Sequence, residues 1–157
     1  MYRVCFVCLG NICRSPTAEA VFQKLVQDAS LNDDFVVYSA GTASYHVGQL
    51  ADPRSRTAAK RRGYEIRSRA RQFQLGDFEA FDQVCVMDAD NLQTLLRLAT
   101  TRDAKSKVSL LRSFDATAPV GAEVPDPYYG GERGFDDVID ICERACRGLL
   151  EHARRGK

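Results

Sequence analysis

Four short apolar runs alternate with four stretches whose apolar residues recur every three or four positions. The runs are YRVCFV (2–7), DFVVYSAG (34–41), DQVCVMD (82–88) and KVSLL (107–111), and they read as short buried strands. The first periodic stretch puts Ala18, Val21, Phe22, Leu25, Val26 and Ala29 on one helical face. Ser15 is expected to cap that helix, with Pro16 as its first residue. A second helix is expected from about Arg54 to Arg62, stopped by Gly63. A third follows Asp88 or Asp90 with Leu92, Leu95, Leu96 and Ala99 on one side; the last carries Phe135, Val138, Cys142, Ala145, Cys146 and Leu149. Such alternation predicts an α/β fold with a four-stranded parallel sheet flanked by helices. No repeat, low-complexity segment or linker divides the chain, so one domain over residues 1–157 is expected.

Ligands of open parallel sheets bind beyond the carboxyl ends of the strands. The first strand runs into Cys8 there, and residues 8–14 form a loop containing Gly10 and Asn11, both types that accept positive φ. A loop entering a helix N-terminus collects unpaired N–H groups and the positive end of the helix dipole, which together cradle an anion. A cysteine at its start is favoured as a thiolate. Arg14 can grip two oxygens of a tetrahedral dianion with its planar fork, and Ser15 can hydrogen-bond the thiolate. Cys-x5-Arg-Ser in this position therefore describes a nucleophile in a phosphate-shaped nest.

A thiolate that attacks phosphorus still needs an acid to protonate the leaving oxygen. The candidate lies in VPDPYYGG (124–131), where Pro125 and Pro127 stiffen the backbone around Asp126. Tyr128 and Tyr129 follow and can wall a slot for a flat ring. Read alone, Asp126 would be a turn residue.

Composition narrows the alternatives. The net charge of +1 gives no reason to expect nucleic-acid binding, and no run is long or apolar enough to span a bilayer. The N-terminal run is broken by Arg3 and lacks a signal peptide's basic start and cleavage site, so a cytoplasmic location is expected. The six cysteines (Cys5, Cys8, Cys13, Cys85, Cys142 and Cys146) are then not expected to form a disulfide framework. Zinc binding by Cys5-x2-Cys8 with Cys142-x3-Cys146 is disfavoured, because Cys5 falls inside a strand and the second pair shares one helix face. Packing explains those thiols better.

VCLGNICRSPTAEAVF and DPYYG together resemble the signature and the acid loop of the low-molecular-weight protein tyrosine phosphatases. The order, spacing and length agree over about the whole chain. The resemblance implies that Cys8 attacks phosphorus and forms a phosphocysteine. It implies that Arg14 binds phosphate and that Asp126 acts as general acid, then as base for water. The amides of Leu9, Gly10, Asn11, Ile12, Cys13 and Arg14 would bind the phosphoryl oxygens. Asn11, Ser15 and Ser39 would support the loop. Leu9, Ile12, Tyr45, Tyr128 and Tyr129 would line the slot for the aromatic ring. Cys13 would form a reversible disulfide with Cys8 under oxidant. No metal or other cofactor is implied. The partners would be tyrosine-phosphorylated proteins, and the chain a monomer with weak self-association through the cleft face. One departure is visible. Many relatives carry a histidine before ARQ that bonds the loop asparagine, whereas RSRARQF offers Ser68 or Arg69, and neither His46 nor His152 substitutes obviously.

Rival readings share parts of this pattern. Arsenate reductases need a second cysteine pair near the third strand, where only Cys85 lies. Arginine phosphatases carry threonine where this chain has Ile12, whose branched apolar side chain favours an aromatic ring over a guanidinium. A phosphotyrosine-binding module would lose Cys8 or Asp126. The run from Arg54 to Arg71 holds eight Lys or Arg and one acid, Glu65, and reads equally as a solvated face or as a rim that steers acidic substrates.

Overall fold

The computed structural model describes residues 1–156. The strands are β1 (Tyr2–Cys8), β2 (Phe35–Gly41), β3 (Gln83–Val86) and β4 (Val108–Leu110). The helices are α1 (Arg14–Asp28), α2 (Pro53–Arg61), α3 (Asp77–Ala80), α4 (Ala89–Leu98), α5 (Arg102–Ser106) and α6 (Glu132–Arg155). All strand pairs are parallel, in the order β2-β1-β3-β4. The chain leaves β1 first toward β2 and later returns to its other side as β3, so the order reverses around β1. A crevice opens at such a switch point, outside the strand's carboxyl end. Cys8 stands there.

The alternation of side chains along β1 divides the core. Val4, Phe6 and Cys8 face one layer with Phe22 and Val26 of α1 and Cys142, Cys146 and Leu149 of α6. Cys5 and Val7 face the other, with Phe78, Leu95 and Ala99. A strand covered on both faces reads as a continuous apolar run, as this one does. A third cluster joins Ile12 and Cys13 to Ala58 and Ala59 of α2 and Phe135 and Ile139 of α6. The loop after β1 is thus seated on packed helices.

The four strands and four principal helices match the sequence expectation, with differences at their ends. Pro53 opens α2, capped by the Asp52 carboxylate, which accepts from the Arg54 amide. Gly63 ends that helix with φ of 85°. Asp88, not Asp90, caps α4. The short helices α3 and α5 escape periodicity, which needs more residues than they contain. Ser15 is not the cap of α1. The helix already begins at Arg14, and its cap position, Cys13, makes no side-chain cap bond. The Ser15 hydroxyl is directed to Cys8 and the Ala40 carbonyl instead.

Gly148 lies inside α6, where glycine costs about 1 kcal/mol relative to alanine. A Cβ at that position would overlap the Phe114 carbonyl oxygen. Overpacking of this kind costs about 1–3 kcal/mol, so Gly148→Ala is expected to destabilise the fold despite its better helix propensity. Urea unfolding checks this, and a stabilised variant would refute the contact.

Candidate active site

Four carbonyls of the loop from Cys8 to Arg14 are bonded outside it. Thr42 N–H donates to the Cys8 carbonyl (2.9 Å), Ala43 N–H to Leu9 (3.0 Å), Asp52 N–H to Ile12 (2.8 Å) and Thr17 N–H to Cys13 (3.3 Å). With these four carbonyls tied to the scaffold, the loop is left to present N–H groups to its interior. The Cys8 sulfur sits 3.0 Å from Ser15 Oγ and accepts the Asn11 amide at 3.3 Å. It is only 3% exposed.

Asn11 takes a left-handed φ of 58°, a conformation that asparagine tolerates better than most residues. Its side chain holds the turn in place. Nδ2 donates to Ser15 Oγ (2.7 Å) and Ser39 Oγ (3.0 Å), and Oδ1 accepts the Arg71 main-chain N–H (3.0 Å). Ser39 in turn donates to Glu19 Oε1 at 2.5 Å, and the Ser68 hydroxyl lies near the same carboxylate. Ser68 therefore reaches Asn11 only through Glu19 and Ser39. Sequence reasoning missed Glu19, which projects from α1 one turn beyond Ser15, and it missed the Arg71 main chain. The i, i+4 spacing of Ser15 and Glu19 was the available signal.

Arg14 is buried at 3% exposure. Its NH1 donates to Asp88 Oδ2 at 2.7 Å and to the Val124 carbonyl at 3.1 Å. Its NH2 lies 3.6 Å from Asp126 Oδ2. Burial works against the guanidinium charge, but Cys8, Asp88 and Asp126 outweigh it and raise the Arg14 pKa. Asp88 has a second use that its reading as a helix cap did not include. Oδ1 accepts the Asn91 N–H at 2.8 Å while Oδ2 fixes Arg14. Asp126 accepts the Tyr128 N–H at 3.0 Å, which closes a tight turn and keeps the carboxylate over the loop.

These groups surround a cleft of about 260 Å³. Cys8, Leu9, Gly10, Ile12, Cys13, Arg14, Asp126, Tyr128 and Tyr129 line it, with Tyr45 and His46 from the loop after β2. Asn11, Ser15 and Ser39 do not line the cleft; they are joined to one another by the bonds of the Asn11 side chain. His46 is an addition: its ring carbon would lie 3.0 Å from a Cβ at Gly10. Tyr128 meets Tyr129 edge to face at 4.9 Å, and the Arg54 guanidinium lies 5.3 Å from its ring centre. Burial pushes the Cys13 thiol up to about 12. Cys5, Cys85, Cys142 and Cys146 are buried in the core.

The basic run is mostly neutralised. Arg54 pairs with Asp52, Arg61 with Asp136, Arg62 with Asp140 and Glu143, Arg67 with Glu65, and Arg71 with Asp77. Arg61 and Arg62 thus tie α2 to α6. Little net field is left to steer a substrate.

Burial raises the Glu19 pKa, only partly offset by the Ser39 and Ser68 hydroxyls and by Arg71. The folded chain therefore keeps this proton to higher pH than the unfolded chain. The cost of ionising Glu19 is absent below the ordinary glutamate value and fully present above the raised one. Glu19→Gln removes that cost, so its melting temperature relative to wild type should climb as pH rises from the ordinary glutamate value through the raised one. A difference that stays flat with pH would contradict the assignment.

The family model for "Low molecular weight phosphotyrosine protein phosphatase" matches residues 3–157. A low molecular weight protein-tyrosine-phosphatase of Streptomyces coelicolor is 49% identical over 154 residues, 98% of this chain and 94% of the relative. A crystal structure of a protein tyrosine phosphatase from Entamoeba histolytica, with Hepes in the active site, superposes with TM-score 0.95 at 46% identity, covering 99% of each chain. The structure of DARP, a drosophila arginine phosphatase, superposes with TM-score 0.86 at 33% identity, covering 96% of this chain and 97% of that one. With nearly every residue inside that family match and the sheet order, loop and cleft all in place, the chain belongs to the low molecular weight phosphotyrosine protein phosphatases.

Proposed function

We propose that this protein hydrolyses phosphotyrosine in proteins through a phosphocysteine on Cys8. The observation that carries this reading is the meeting of Cys8, the inward-facing loop, Arg14 and Asp126 in one cleft walled by tyrosines. The phosphoryl oxygens lie on the amides of residues 9–14, with the Asn11 amide shared with the sulfur, and on the NH2 side of Arg14. The Cys8 thiolate attacks phosphorus while the bond to the phenolic oxygen breaks. Protonated Asp126 gives its proton to that oxygen, and tyrosine leaves. Asp126, now a carboxylate, takes a proton from water, whose oxygen attacks phosphorus and breaks the S–P bond. Inorganic phosphate departs and the thiolate returns, with Ser15 donating to it. Preorganised N–H groups and Arg14 supply the positive field for the transition state, so the reading requires no metal or cofactor.

Leu9, Ile12, Tyr45, Tyr128 and Tyr129 hold the aromatic ring in this reading. Buried Ile12 offers no hydrogen-bond acceptor to a guanidinium, which favours phosphotyrosine over phosphoarginine. Under peroxide, Cys8 is oxidised to a sulfenic acid. The neutral Cys13 thiol then condenses with it, forming a disulfide and releasing water, and a thiol reductant restores both. The protein acts as one domain and as a monomer on tyrosine-phosphorylated proteins of the cytoplasm. No helix among the described residues is long and apolar enough to cross a membrane.

Turnover of a phosphotyrosine peptide and a phosphoarginine peptide of one sequence, without added metal, tests the substrate. Strong preference for phosphotyrosine with an inactive Cys8→Ser is expected; preference for phosphoarginine would overturn the substrate assignment. Asp126→Asn should lower kcat on phosphotyrosine by about 10²–10⁴-fold, and less on an aryl phosphate with a good leaving group. Equal losses on both would remove Asp126 as the acid. Peroxide-treated Cys13→Ser should recover less activity with thiol than wild type; full recovery would end the redox role.

A further inference from the structure

A second cleft, of about 290 Å³, lies between α1 and the segment 63–68 and shares no lining residue with the first. Its walls include Glu19, Gln23, Lys24, Tyr64, Glu65 and Ser68. Glu19 has an unusual set of partners for a largely buried carboxylate. Ser39 donates to it, the Ser68 hydroxyl lies near it, and among the described residues it has no ion pair with any Lys or Arg. Arg71 is near enough for its charge to be felt, but its guanidinium is directed to Asp77 at 3.0 Å. A buried carboxylate without a cation is costly, and a cation placed against it recovers much of that cost.

We propose that this cleft binds a small organic monocation, of the amine or guanidine class, against Glu19, and that its occupancy tightens the phosphate loop. The route is a hydrogen-bond chain with one direction. Ionised Glu19 accepts from Ser39, Ser39 accepts from Asn11, Asn11 also donates to Ser15, and the Ser15 hydroxyl is shared between Cys8 and the Ala40 carbonyl. A bound cation holds Glu19 in the ionised form, which accepts the Ser39 proton more strongly than a protonated carboxyl does and so firms the Ser39 hydroxyl that Asn11 leans on. Glu65 at the cleft is already taken by Arg67 at 2.7 Å. Lys24 also borders the cleft, 3.9 Å from where a Cβ on Gly63 would stand. Its charge disfavours polycations, which leaves a compact single charge as the fitting occupant.

The inference rests on the loop being a phosphate site. Methylguanidinium is titrated into the whole protein at constant ionic strength. The readouts are the inhibition constant of inorganic phosphate and kcat/KM for an aryl phosphate. Sodium chloride and tetramethylammonium, which has no N–H donors, serve as controls. Methylguanidinium should tighten phosphate saturably, by about fivefold or more if the coupling is of usual size. Gln23→Trp, which fills the cleft and touches nothing in the hydrogen-bond chain, should keep basal turnover and lose the response. Gln27→Trp provides the same blockade should the first variant fold poorly. Turnover without a saturable response, or an equal response in the blocked variants or with tetramethylammonium, overturns the cation site alone. Absence of basal turnover in wild type instead overturns the phosphatase reading.

Discussion

The left-handed turn at Asn11 is the constraint on which the rest of the site depends. A loop that is to present N–H groups inward must dispose of its carbonyls, and here they go to Thr42, Ala43, Asp52 and Thr17. That arrangement requires a reversal of the backbone near its middle. A non-glycine residue pays strain for it, and the strain is held only if neighbouring bonds over-determine the conformation. Asn11 has three such bonds from its own side chain, to Ser15, Ser39 and the Arg71 main chain. They come from α1, β2 and the segment before α3, so the loop's shape reports the relative placement of three parts of the fold.

Charge is arranged with equal economy. Arg14 is buried with Cys8 beneath it, Asp88 at one nitrogen and Asp126 near the other. Asp88 anchors the guanidinium from the start of α4, while Asp126 is 43% exposed and held mainly by its local turn. The first acid is fixed against Arg14, and the second is more exposed, on the loop over the cleft. In the proposed mechanism that division separates orienting the cation from moving a proton.

The departure at Ser68 shows how a missing side chain is absorbed. The sequence offered no partner for Asn11 near ARQ. The fold uses a main-chain N–H, which any residue but proline carries at position 71, and a carboxylate from α1 that accepts from Ser39 and lies near Ser68. Neither solution is visible in residue types: a main-chain donor leaves no compositional trace, and Glu19 on a helix reads as an ordinary exposed acid. The basic run was ambiguous for a related reason. Its acidic partners on α6, such as Asp140 and Glu143, lie some eighty positions away along the chain.

By itself the sequence determined the strand and helix alternation, the place of Cys8 at the end of β1, and the pairing of its loop with Asp126. These are legible because periodicity, Gly and Pro signals, and short motifs act over a few residues. Only the tertiary structure decided that Glu19 and the Arg71 main chain stand behind the loop, that Asp88 fixes Arg14, that His46 joins the cleft, and that Ser15 does not cap the helix. Each of those depends on side chains far apart in sequence meeting across packed elements. Local pattern carries no information about such meetings until the sheet order and the helix packing have set the distances.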